Sequence, residues 1–127
     1  RMENDIIEVM EACVDGKLDQ IDLKFEDNAA VCVVLASDGY PVSYKKGYVI
    51  NGLDEFKKHD GYYCFHAGTK RTDEGIVTNG GRVLGVTAKG SDLKEARKNA
   101  YAATEWVTFE NKYMRHDIGK AIDDVEA

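Results

Sequence analysis

The apolar run Ala29–Ala36 constrains this chain more than any other stretch, because it carries three valines and a leucine without one charge. A run this short, β-branched and uninterrupted predicts a strand covered on both faces. Other segments supply partners for it. Gly61 to Ala67 alternates, with Tyr62, Cys64 and His66 on one side and Tyr63, Phe65 and Ala67 on the other. Arg82 to Ala88 alternates as well, setting Val83, Gly85 and Thr87 against Leu84, Val86 and Ala88. Residues 68 to 81 are rich in turn formers and predict a hairpin, while Leu23–Phe25 and Tyr48–Ile50 read as brief extended pieces.

Helices bracket these strands. Ile6, Met10, Cys13 and Val14 recur at helical spacing, and Gly16 after Asp15 marks a stop, which predicts a helix over about residues 4 to 15. Its apolar stripe asks for a partner surface. Leu53 to His59 has room for one or two helical turns. The strongest helix follows Gly90-Ser91-Asp92, where Asp92 and Glu95 have capping-box spacing and Ser91 competes as the cap. Leu93, Ala96, Ala100, Thr104 and Val107 form its apolar stripe, and residues 121–127 read as an acidic, frayed tail. The expected class is α+β: a mostly antiparallel sheet with one long helix toward the C-terminus.

Charge narrows the function classes. A net charge of −6 and scattered lysines and arginines argue against a nucleic-acid surface, which needs a basic stripe. No apolar run approaches the roughly 18 residues of a membrane span. Cys13, Cys32 and Cys64 are odd in number and lack CxxC spacing, so neither a disulfide framework nor a zinc site is expected; small buried thiols in a reducing cytosol are. The chain opens at Arg1, directly in a helical pattern and without an initiator methionine, which raises the expectation of a piece of a longer polypeptide.

Four clusters have residues suited to chemistry: Gly39-Tyr40-Pro41, Phe65 through Lys70, Thr78 through Arg82, and Arg115 through Gly119. In the third, Gly80 and Gly81 free the backbone to turn its amides toward an anion, and Arg82 adds a forked cationic donor beside Asn79. The competing reading is a tight Asn-Gly hairpin turn followed by an exposed arginine. His66, at a strand end before a Gly-Thr turn, can bind phosphate or move a proton, or serve as an ordinary satisfied histidine. His59 and His116 lack metal spacing and read as surface residues; no metal site is expected.

In this order the clusters resemble the C-terminal domain of phosphoribosylamine–glycine ligases. The match runs from Arg1-Met2-Glu3-Asn4-Asp5-Ile6 through the Ala29–Ser37 block, Gly39-Tyr40-Pro41, Lys46-Gly47 and Phe65-His66-Ala67-Gly68-Thr69. It continues in Thr78-Asn79-Gly80-Gly81-Arg82-Val83-Leu84-Gly85-Val86-Thr87-Ala88 and in Arg115 with Asp117-Ile118-Gly119. Val42 stands where the family often has a small residue, and His116 where Arg or Lys is more typical. The resemblance implies that residues 1–16 are a helix left over from an ATP-grasp region, residues 17–120 the ligase C-terminal domain and 121–127 a tail. It also implies an ADP-forming carbon–nitrogen ligase of purine biosynthesis, cytoplasmic, using ATP and Mg²⁺ held by residues before Arg1. ATP would phosphorylate the glycine carboxylate, and 5-phosphoribosylamine would attack the acyl phosphate to give glycinamide ribonucleotide. On this reading the present chain is inactive alone, its partners being the missing N-terminal and ATP-grasp domains. Arg82, Asn79, Gly80, Gly81, His66 and Thr69 become substrate-binding candidates. The rival reading is a non-catalytic module binding a small anion or a protein.

Overall fold

The computed structural model describes residues 1–125. It confirms the expected class. Four antiparallel strands form the main sheet: β1 (Ala29–Ser37), β2 (Tyr62–His66), β5 (Arg82–Gly90) and β6 (Lys112–Tyr113), in the order β2-β5-β1-β6. A separate hairpin, β3 (Thr69–Thr72) with β4 (Gly75–Thr78), realises the turn-rich segment. The helices are α1 (Ile6–Val14), α2 (Leu93–Thr104) and α3 (Ile122–Val125), with 3₁₀ turns at Leu18–Gln20 and Leu53–Lys58. Tyr48–Ile50 is extended and bridges β4 at Val49–Val77, and Leu23–Phe25 contributes only the isolated bridge Met2–Phe25. The stretch read as a frayed tail is helical over Ile122–Val125, and its last two positions lie outside the described residues.

Helix α2 lies on one face of β1 and β5. Val33, Leu35, Leu84, Val86 and Ala88 meet Ala100, Ala103 and Val107 there, all essentially inaccessible to solvent. The helix is alanine-rich where it touches the sheet, so the backbones approach closely; a Cβ on Gly90 would strike Ala96. Leu93, expected in the buried stripe, is instead exposed at the helix start, and Ala103 takes part in the contact. Asp92 caps the helix as expected, its carboxylate accepting from the Glu95 amide at 2.7 Å while Glu95 reaches back to Ser91. At the other end, Lys112 Nζ donates to the Thr104 and Val107 carbonyls at 2.6 and 3.0 Å, placing a cation where the helix dipole is negative.

The opposite sheet face is open. Register places Cys32 beside Thr87 and Tyr63 beside Thr87, then Val34 beside Gly85 and Phe65 beside Gly85. Cys32, Val34, Tyr63 and Phe65 are all exposed. The expectation that Ala29–Ala36 is covered on both faces is therefore corrected: one face carries α2, and no element among the described residues covers the other. Helix α1 shows the same pattern. Val9 and Ala12 are its buried residues, and the stripe read from Ile6, Met10, Cys13 and Val14 points to solvent.

Candidate functional site

Where β5 begins, three connections converge on the open face. The first is the turn after β1, running from Ser37 into Gly39-Tyr40-Pro41 with a cis Tyr40–Pro41 bond. The second is the end of β2, from His66 to Thr69, and the third is the loop Asn79–Gly81 between β4 and β5. They enclose a groove of about 520 Å³ lined by Val34, Tyr40, Phe65, His66, Gly81 and Arg82, among others.

Loop 79–81 is not a hairpin turn. Strand β4 belongs with β3 to the two-stranded sheet, and β5 pairs with β1 and β2 in the main one, so Asn79-Gly80-Gly81 passes the chain from one sheet to the other. Neither glycine has positive φ. What requires them is space. A Cβ on Gly68 would come within 2.7 Å of Gly80 Cα and 2.8 Å of the Arg82 carbonyl oxygen, and a Cβ on Gly81 would run into the Tyr40 ring. The loops are thus pressed backbone to backbone, and Asn79 N donates to the Gly68 carbonyl at 2.7 Å while Gly68 N donates to Arg82 O at 2.8 Å. Fully buried Ser37 ties the third connection in: its amide donates to Gly81 O at 2.7 Å and its hydroxyl to Gly80 O at 2.8 Å.

The charged groups of the groove are left open by this scaffold. Arg82 is exposed, and its guanidinium has no carboxylate or carbonyl partner among the described residues. Arg71 and Lys70 lie on the neighbouring hairpin β3, and Arg115, by contrast, is neutralised by a two-pronged pair with Asp117 at 2.9 and 2.7 Å. The Asp117 carboxyl is held below the usual range by that hydrogen bond. His66 is also exposed, and its Nδ1 is 3.0 Å from Thr69 Oγ1, so the hydroxyl fixes one ring nitrogen and leaves Nε2 to the groove or to solvent. The six residues singled out from the sequence are thereby brought to one locus: Arg82, Gly81 and His66 line the groove, while Thr69, Gly80 and Asn79 support it from behind. Tyr40 and Ser37 belong to the site too. Tyr40 lay within a flagged cluster; a buried serine ending an apolar strand carries no signal that separates it from any other strand end.

Such a groove, with aromatic and aliphatic walls and an unpaired guanidinium, suits a small anionic ligand rather than a cation. Among the described residues no three His, Cys, Asp or Glu side chains converge as metal ligands would.

The chain is similar to known proteins over nearly its whole length. The phosphoribosylamine–glycine ligase of Caldanaerobacter subterraneus is 48% identical over 92% of this chain, and the chloroplastic enzyme of Arabidopsis thaliana 46% over 94%. The crystal structure of the Thermotoga maritima phosphoribosylamine–glycine ligase superposes with a TM-score of 0.67 at 35% identity, covering 87% of this chain. The chain spans about a quarter of the length of these relatives: 27%, 23% and 27% respectively. Residues 30–121 match the phosphoribosylglycinamide synthetase C domain. That match takes in the whole sheet, the groove and α2, and it places the chain in the phosphoribosylglycinamide synthetase C-domain family.

Proposed function

We propose that this chain is the C-terminal part of a phosphoribosylamine–glycine ligase and forms one wall of its substrate cleft. The single observation that carries the proposal is the unpaired Arg82 guanidinium at the mouth of a groove whose loops are packed backbone to backbone. The ligase joins glycine to 5-phosphoribosylamine, giving glycinamide ribonucleotide, and both substrates carry anionic groups that a forked donor recognises. Arg82 binds such a group, His66 Nε2 supplies a second donor on the same rim, and Asn79 to Gly81 hold the backbone in place. On this reading ATP and Mg²⁺ are held by parts of the ligase outside this region. Three free cysteines suit a reducing compartment such as the cytoplasm.

A chimaera tests the proposal: these 127 residues replacing the matching segment of the Caldanaerobacter subterraneus ligase. The chimaera is expected to form glycinamide ribonucleotide and the isolated chain is not. Losing a charge-assisted contact costs about 1.5–3 kcal/mol, so Arg82→Ala in the chimaera lowers kcat/KM roughly ten- to a hundredfold. An inactive but folded chimaera, or anion binding by the isolated chain with wild-type kinetics for Arg82→Ala, favours a stand-alone binding module instead.

A further inference from the structure

Ser37 is fully buried, yet its hydroxyl crosses from the end of β1 to the Gly80 carbonyl, and its own amide takes the Gly81 carbonyl. Thr78 and Thr104, buried as completely, serve nearby backbone: Thr78 Oγ1 accepts from the Tyr48 amide and Thr104 Oγ1 donates to Tyr101 O. Ser37 instead joins two connections of the groove. A peptide group is planar and trans, so its N–H points opposite to its carbonyl. With the Gly80 carbonyl drawn onto Ser37, the Gly81 N–H is aimed away from Ser37. That amide has no acceptor among the described residues, although Gly81 itself is buried and lines the groove beside Arg82. The Tyr40 ring lies against Gly81, and Tyr40 N donates back to Ser37 O at 3.1 Å in the turn after β1.

The geometry points to Ser37 as the positioning residue of an anion subsite in which the Gly81 amide and the Arg82 guanidinium act together on one ligand oxygen group. This inference rests on the ligase reading and deepens it, because it adds a backbone donor beside Arg82 and names the buried group that aims it. A backbone amide cannot be removed by mutation, but its aim can. Ser37→Ala removes the hydroxyl bond to Gly80 O without adding bulk to a tightly packed point.

The test uses the chimaera with Ser37→Ala, Arg82→Ala and the double substitution, together with Ser37→Thr, which keeps the hydroxyl. Losing a buried hydrogen bond shifts binding by about three- to tenfold, so Ser37→Ala is expected to raise KM for one substrate by that factor with kcat nearly unchanged. The same substrate is the one affected by Arg82→Ala, the double variant loses less than the product of the two, and Ser37→Thr, despite its added methyl, brings KM back toward the parent value. In the 127-residue chain, the Gly81 amide resonance is expected to move on titration with ribose 5-phosphate or with glycine, and to stop moving in Ser37→Ala. A Ser37→Ala variant that loses thermal stability but keeps both KM values overturns the inference while leaving Arg82 in place. If Arg82→Ala is silent too, the site reading itself falls. Multiplicative single effects, or a Gly81 amide unmoved by either probe, also overturn it.

Discussion

At the scale of single residues, the glycines of the groove divide by what stands in their way. A methyl on Gly68 meets the backbone of Gly80 and Arg82, which cannot step aside, whereas a methyl on Gly81 meets a half-exposed tyrosine ring that can swing out. Overpacking costs about 1–3 kcal/mol, so Gly68→Ala is expected at or beyond the upper end and Gly81→Ala near the lower, as read by urea denaturation of the two variants. Adding Tyr40→Ala should relieve the second and not the first. A Gly81→Ala variant as damaged as Gly68→Ala would mean that the ring is fixed. These positions were readable in the sequence as a glycine cluster beside an arginine, but not for the right reason. The sequence pattern admits turns, anion nests and tight packing alike, and only the partner across the gap distinguishes them. The cysteines show the same limit: all three were expected to be small buried thiols, but Cys13 and Cys32 are exposed because the faces that carry them are uncovered, and only at Cys64 does partial burial push the thiol up to about 11, mainly by desolvation, with Cys32 adding to the shift.

Local chemistry served better at the scale of elements. The Asp92–Glu95 spacing located the start of α2, and the Gly16 stop the end of α1, because caps are satisfied within a few residues of chain. The other end of α2 has no basic residue in its last turn; its cation comes from Lys112, eight positions on, after the chain has turned back. That contact could not be read from periodicity. Replacing it by Lys112→Met keeps most of the stem and removes the charge, and should cost about 1–2 kcal/mol of unfolding free energy by chemical denaturation. No loss would show that water satisfies the Thr104 and Val107 carbonyls equally well. A second long-range tie holds the N-terminal segment to β5: Lys89 Nζ sits 3.0 Å from the Glu26 carboxylate, which also accepts from Asn28. The Lys89 hydrogen bond lowers the Glu26 pKa, and a depressed carboxylate contributes stability above its unfolded value that is lost as pH falls through the folded one. Amide exchange at Glu3 and Glu26, whose N–H groups donate to Lys24 O and Arg1 O at 2.8 Å, is therefore expected to quicken as pH drops below about 4.3, the ordinary glutamate value, after correction for intrinsic rates. Glu26→Gln should show the quicker exchange at neutral pH and flatten that local pH response, and an unaltered profile would detach the ion pair from the segment's stability.

For the molecule as a whole, the apolar surface is distributed unevenly, and that distribution is itself informative. Phe65 is 58% exposed and Val14 87%, and with Tyr63, Val34, Ile6, Ile7 and Met10 they occupy two surfaces, the open sheet face and α1. Single exposed apolar residues are ordinary, but grouped ones mark surfaces that are covered in the working protein. The sequence announced both: the unbroken Ala29–Ala36 run asked for cover on two faces, and the α1 stripe asked for a partner. The folded chain supplies cover for one sheet face only. The proposed function predicts that the remaining polypeptide of the ligase packs over the other. Amide hydrogen exchange then separates the possibilities, comparing the isolated chain with the same residues in the chimaera. Protection of β2 and α1 should rise in the chimaera, while β5 and α2, already closed into the core, should change little. Phe65→Lys should leave the isolated chain folded, since the ring is largely exposed and stacks on a tyrosine, Tyr63, that is exposed too, yet lower the chimaera's melting temperature by several degrees, as a buried unpaired charge would. Equal protection in both settings, or a chimaera indifferent to the lysine, would mean that the open face stays in water even beside the rest of the ligase, and that Phe65 serves the groove alone.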